Sequence, residues 1–229
     1  MKLAIMQPYF LPYIGYFQLM RAADLFVYYD DVTFIKQSWI NRNRIILNGR
    51  EFLFTLELHG ASSFRNINMV SVGRNRPRLL KTFLQAYMDA PYYNEIKPIL
   101  LSIMSSTETS LPEYIIETHQ NILNYLGVEV KCIKSSSIEK ESSLKGQDKV
   151  IEICRKLGAR EYINSPGGKE LYSKQDFTDN GIVLSFLQPL ETRYKQFGND
   201  FIPWLSIIDV LMFNSASEIR LMLDNYRLI

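Results

Sequence analysis

"KLAIMQPYFLPYIGYFQLM", residues 2–20, decides how the chain is read. Lys2 to Met6 is a short apolar run of the kind that forms a buried strand. A helical pattern, "GYFQLMRAA" (15–23), starts almost at once. Between them stand Pro8, Pro12, Gly15 and a concentration of aromatic rings. A plain turn needs only a glycine or an asparagine. Rigid and aromatic residues placed where a first strand hands over to a helix mark a site as well as a connection.

Four more runs resemble the first strand: "LFVYY" (25–29), "VEVKCI" (128–133), "REYIN" (160–164) and "IVLSFL" (182–187). Their near-continuous apolar character suits strands covered on both faces of a parallel sheet. Helical patterns separate them. "PEYIIETHQNILNYLG" (112–127) places Ile115, Ile116, Ile122, Leu123 and Leu126 on one broad face and stops at Gly127. "KVIEICRKLG" (149–158) repeats the design and stops at Gly158. Alternating strands and helices predict an α/β chain whose parallel sheet is flanked by helices.

Residues 32–73 break the rhythm. "RIILNGREFLFTLEL" (44–58) is two strand-like runs around Asn48-Gly49, a strong hairpin signal. "INMVSVG" (67–73) predicts a further strand, which gives an antiparallel β insertion after strand two. Residues 76–126 are then mainly helical, and "SSSIEKESS" (135–143) is a polar loop. The expected organisation is one α/β domain over residues 1–229.

With 47% hydrophobic and 22% charged residues, the chain has ordinary globular composition. A net charge of +2 provides no footprint for nucleic acid or a membrane surface. Cys132 and Cys154 lie in apolar periodic segments and are expected as buried free thiols. His59 and His119 share no ligand spacing with each other or with the cysteines, so no metal site is expected. No charged leader precedes a long apolar run, and no run approaches ~18 apolar residues. A cytoplasmic protein without a membrane span is expected.

In an open parallel sheet, ligands bind beyond the carboxyl ends of the strands. Four segments should meet there: "QPYFLPYIGY" (7–16), "DDVTFIKQSWINRNR" (30–44), "SPGGKELY" (165–172) and the stretch 189–209. In the first, Gly15 begins a helix whose free N–H groups attract phosphate or carboxylate. Gln7, Pro8, Tyr9, Tyr13 and Tyr16 would frame the ligand; the plainer alternative is a hydrophobic staple. In the second, Arg42 and Arg44 would share one strand face with Lys36 if the extended conformation persists that far. Arginine forks suit phosphate or carboxylate, Trp39 could stack on a base or sugar, and Asn41 lies between. A solvated edge strand is the bland alternative. Asp30 and Asp31 would pair with these arginines, act as general base or hold a metal through waters, and pairing is the simplest of the three. Ser165, Gly167 and Gly168 form a glycine turn that suits an anion. Asp209, in the strongly apolar "SIID" (206–209), needs a partner, with an arginine or a helix start expected before catalysis.

"YIGY" (13–16) is similar, at a distance, to the HIGH-type signature of nucleotidyltransferases, with tyrosines in place of the two histidines. Tyrosine donates a hydrogen bond but does not become a cation near neutral pH. The likeness implies a Rossmann-like fold, with adenylyl transfer from ATP as one activity to weigh. Over nearly the whole chain, "MQPYFLPYIGYFQLM", "DLFVYYDDVTFIKQSWINRNRI", "EYINSPGGKELY" and "FIPWLSIIDVLMFN" together resemble the WbqC-like family of bacteria. Ile40 stands where the family pattern would have a basic residue. Members typically occur with genes for O-antigen or capsule synthesis.

The resemblance implies an enzyme of lipopolysaccharide or capsule synthesis acting on a nucleotide-linked (amino) sugar, with acyl or aminoacyl transfer the leading reaction. Asp30, Asp31 and Lys36 would then serve in proton transfer. ATP or an acyl donor would be the co-substrate, and a homodimer fits the expectation. The alternatives are an ATP-using ligase or nucleotidyltransferase, and a non-catalytic binding protein of polysaccharide assembly.

Overall fold

Leu3, Ala4 and Ile5 of the first strand, β1 (Lys2–Met6), are all buried, but successive side chains enter opposite faces, and this alternation sets the layers. Leu3 and Ile5 enter one apolar cluster and Ala4 the other. The same division runs through β2 (Leu25–Tyr28), where Val27 faces one way and Phe26 and Tyr28 the other. A sheet buried on both faces needs helices on both. The computed structural model describes every residue of the chain except Ser142 and Asn199.

The first face is covered by α1 (Ile14–Ala22), α2 (Arg76–Ala86), α3 (Tyr93–Ser105), α4 (Leu111–Leu126), α7 (Ile207–Phe213) and α8 (Ala216–Leu223). The second is covered by α5 (Gly146–Lys156) and α6 (Lys174–Asp179). The remaining strands of the main sheet are β7 (Cys132–Lys134), β8 (Glu161–Asn164), β9 (Val183–Pro189) and β10 (Tyr226–Leu228). Their order is β10-β9-β8-β1-β2-β7, parallel throughout except for the antiparallel edge strand β10. The chain therefore builds outward on one side of β1, then crosses and builds on the other. This is the Rossmann-like order, with its switch point between β1 and β8.

The insertion contains β3 (Arg42–Leu47) and β4 (Arg50–Thr55), joined by the expected turn with Asn48 and Gly49 at φ 53° and 74°. The strand expected over 67–73 is shorter. It is a 3-10 turn (Ile67–Met69) followed by β6 (Ser71–Val72), which pairs with β5 (Leu58–His59). The strand expected over 128–133 is reduced to Cys132–Lys134, although the Lys131 carbonyl still accepts from Phe26 N–H at 2.8 Å.

Cys132 and Cys154 are both free, and burial pushes their thiols up to about 11 and about 12. Among the described residues, no helix is long and apolar enough to cross a membrane.

Candidate functional site

The loop after β1 is fixed from three sides. Phe10 N–H donates to the Ile40 carbonyl (2.8 Å), and Ile207 N–H donates to the Pro12 carbonyl (2.7 Å). The Leu11 carbonyl accepts from both Asn43 Nδ2 (2.9 Å) and Ser206 Oγ (2.8 Å). Leu11 itself sits at φ 47°, a left-handed conformation that costs about 1–2 kcal/mol in an L-residue. The surrounding bonds over-determine it. The prolines, the buried Phe10 ring and these clamps make a stiff wall beside the switch point.

That wall borders a cleft of about 740 Å3, a size suited to a small organic ligand. Tyr9, Pro12 and Tyr13 come from the β1 loop, and Trp39, Asn43 and Arg44 from the insertion. Pro166, Gly167 and Lys169 follow β8, while Gln188 to Glu191 lie at and beyond the end of β9. Trp204 completes the rim, its ring edge-on to Tyr13 at 6.2 Å between centroids. The chain has two tryptophans, and both line this cleft.

The polar groups divide by charge. Arg44 Nη1 pairs with Glu51 at 2.6 Å, and its buried Nε has no hydrogen-bond partner among the described residues. Its guanidinium lies 5.7 Å from the Trp39 ring centroid. Lys169, which follows β8, is a second cation on the lining. Glu191 is the one carboxylate among the described lining residues, and Arg193 Nε holds it at 2.5 Å. Burial raises the pKa of both Tyr9 and Tyr13, so their hydroxyls stay protonated at neutral pH. The cleft thus offers aromatic faces for flat or ring ligands, two cations for an anion, and one carboxylate.

Of the residues singled out from sequence, the structure brings together Tyr9, Tyr13, Trp39, Arg44 and Gly167. Several others lie outside this wall, each for an identifiable reason. Gly15 is buried, and the Tyr13 ring folds over it, so no ligand reaches the helix start there. Tyr16 is buried and donates to the Gln7 carbonyl at 2.9 Å. Pro8 is buried under the loop. Asn41 is tied to the Leu56 carbonyl through Nδ2 at 2.8 Å. Lys36 is exposed in a turn, so the extended conformation does not reach back from Arg42 to it. Arg42 shares its strand face with Arg44, but its Nε donates to the Ser38 carbonyl at 3.0 Å and its Nη2 to that of Gln37. Ser165 N–H is held by Asn164 Oδ1 at 2.8 Å. Gly168 packs against the Asn164 amide, which a β carbon there would approach to 2.3 Å.

The acidic residues pair differently from expectation. Asp30 is buried and accepts from Ser136 N–H (2.9 Å) and Ser136 Oγ (2.6 Å). Asp31 pairs with Lys140 (2.7 Å) and Lys149 (3.2 Å) and accepts from Ser135 Oγ (2.6 Å). Among the described residues neither meets an arginine, because both bond to the segment after β7 while Arg42 and Arg44 lie beyond the Trp39 turn. Burial raises the Asp31 pKa, but the bonds to Lys140 and Ser135 and the two ammonium charges outweigh it, and the net shift is downward. Asp209 lies in the first turn of α7, as a helix-start carboxylate should. Its hydrogen bonds come from Tyr87, Tyr194 and Gln196, with no arginine.

Lys169, Gln188, Glu191 and Trp204 were not singled out from sequence. The placement of 189–209 after the last parallel strand was the available signal for the last two.

A sheet of this order, with a polar–aromatic cleft at its switch point, defines a Rossmann-like α/β protein. The sequence profile of the WbqC-like protein family matches residues 7–221, and the chain belongs to that family. It is 27% identical over 225 residues to "Uncharacterized protein Rv1507c" of Mycobacterium tuberculosis (strain ATCC 25618 / H37Rv), an alignment covering 95% of each chain. No solved structure matches the chain.

Proposed function

We propose that the cleft binds a nucleotide-linked amino sugar, and that the protein transfers an acyl or aminoacyl group to it in bacterial surface-polysaccharide synthesis. The observation that carries this reading is the convergence of Tyr9, Tyr13, Trp39 and Trp204 with Arg44 and Lys169 at the switch point. Aromatic faces stack on a base and on the apolar face of a sugar, and the cations meet a diphosphate. Arg44 Nε is a donor in need of an acceptor. In the reaction, the sugar amine attacks the acyl carbon. The new C–N bond forms as the bond to the donor's leaving group breaks. The amine proton passes to a base, and Glu191 is the carboxylate best placed to take it. Asp30 and Asp31, spent on Ser136 and on the two lysines, are replaced in that role.

The binding-only alternative is favoured by one observation: Glu191 is already paired with Arg193. Titration of the protein with UDP- and dTDP-linked amino sugars, their parent nucleotides and ATP separates the possibilities. The expected result is tryptophan quenching by the nucleotide sugars at lower concentration than by ATP. Tighter ATP binding would point to ligase or nucleotidyltransferase chemistry. Incubation of a bound sugar with acyl thioesters, followed by mass spectrometry, then tests transfer. Binding without any mass gain across the donor series would leave a binding protein.

A further inference from the structure

Residues 190–205, Asn199 aside, form neither helix nor strand, yet they carry Leu190, Glu191 and Trp204 into the cleft. Irregular segments of this length inside a compact fold are usually functional, and something must fix their shape. The ties converge on one buried carboxylate. Tyr194 Oη and Gln196 Nε2 both donate to Asp209 Oδ1 at 2.7 Å. Gln196 then holds Ile202, accepting from its N–H through Oε1 (2.8 Å) and donating to its carbonyl through Nε2 (3.1 Å). Asp209 is fully buried and has no cationic partner among the described residues, so its stability there depends on these donors. Tyr87, at the end of α2, donates to the other oxygen, Oδ2, at 2.8 Å. Asp209 therefore has one oxygen facing the irregular segment and one facing the helical layer. Two residues before it, α7 begins, and Ser206 clamps Leu11 and β3.

We infer that Asp209 is a positioning residue for the cleft: through Tyr194 and Gln196 it holds the 190–205 segment in the shape that turns Glu191 and Trp204 toward the ligand. The inference rests on the cleft being the ligand site proposed above. It assigns Asp209 no contact with substrate.

The division between the two oxygens supplies the test. Tyr194→Phe and Gln196→Met cut the segment side; Tyr87→Phe cuts the helical side of the same carboxylate. For the quenching measurement all are made in a Trp39→Phe background, so that emission comes from Trp204 alone; UDP binding is measured calorimetrically with Trp39 in place. Without ligand, acrylamide should quench Trp204 about twofold more in Tyr194→Phe and Gln196→Met, and Tyr87→Phe should leave quenching unchanged. UDP, used as the probe, should bind about tenfold more weakly to the first two and within twofold of the parent to the third, though all three lower the melting temperature. Lowered melting temperatures with parental quenching and UDP affinity in all three would overturn the inference. So would equal changes in all three. If the parent binds no UDP, the proposed function fails, while the ligand-free quenching still decides whether Asp209 sets the position of Trp204.

Discussion

Tyr13 lays its ring over Gly15, and the glycine is what makes this possible. A β carbon at residue 15 would stand 2.3 Å from Tyr13 Cε2 and 2.5 Å from Cζ. The atoms in conflict are at the far end of a half-exposed side chain, so the ring would move before the helix does. Gly15→Ala also gains about 1 kcal/mol of helix propensity inside α1. The expected outcome is a melting temperature near that of the parent with nucleotide-sugar affinity reduced several-fold, because Tyr13 leaves the cleft wall. Calorimetric titration beside thermal denaturation checks this. Parental affinity would mean that Tyr13 contributes nothing to the ligand.

Arg42 and Arg44 are neighbours on one strand face, each 5.7 Å from the Trp39 ring, but their hydrogen bonds set them apart. Arg42 is spent on the backbone of the Gln37–Ser38 turn. Arg44 has an Nε with no hydrogen-bond partner among the described residues, and it lines the cleft. Lysine keeps the charge and loses the planar fork. Arg44→Lys should therefore weaken nucleotide-sugar binding by about 1–3 kcal/mol with little change in melting temperature. Arg42→Lys should do the reverse, loosening the turn and lowering stability. Equal effects of the two substitutions on affinity would remove the distinction.

How far the site could be read in advance depended on which signals are local. Strand runs, helix stops and the Asn48-Gly49 turn express local preferences, and these placed the parallel sheet and the hairpin insertion. Once the strands are assigned, the switch-point rule predicts that their following loops converge, and Tyr9, Tyr13, Trp39 and Arg44 do line one cleft. What a side chain does with its polar atoms is not local. Asp30 and Asp31 looked ready for Arg42 and Arg44, close by in sequence. Their partners instead come from Ser135, Ser136, Lys140 and Lys149, over 100 residues away. The short edge strand β10 was equally out of reach, since three residues carry no periodicity, whereas β6 lies inside the strand expected over 67–73.

Asp31 neutralises two lysines whose side chains are only 7% and 13% exposed, while its own is 17% exposed. Asp31→Asn would leave both ammonium groups buried without a counter-charge. Breaking such a pair costs about 3–5 kcal/mol. The variant should unfold at distinctly lower urea concentration, and at a temperature where it remains folded its affinity for a nucleotide sugar should match the parent's. Loss of affinity at parental stability would return Asp31 to the binding site.

His119 gives the chain an acid sensitivity that can be signed in advance. Its Nε2 lies 2.8 Å from the Tyr9 carbonyl, which can only accept, so Nε2 carries the proton. Nδ1 then accepts from Tyr28 Oη at 3.0 Å. The rings of Tyr16, Phe17 and Tyr28 surround the imidazole. Burial brings its pKa down to about 4 from 6.5, against the opposing pull of the Tyr9 carbonyl. As pH falls below 6.5, the unfolded chain takes up a proton that the folded chain refuses. Stability therefore drops through this window, by about 3 kcal/mol once pH reaches 4, and is unaffected by this group above about 7. His119→Gln keeps a donor for Tyr9 and removes the titration. It should be less stable than the parent at pH 7.5, from imperfect packing, but should lose less on acidification. Urea midpoints for both proteins between pH 7.5 and 4.5 isolate this one group, because Asp31, Asp209 and every other carboxylate titrate in both. If the two curves run parallel, folded His119 takes up its proton as readily as the unfolded chain does, and burial does not hold its ring neutral on acidification.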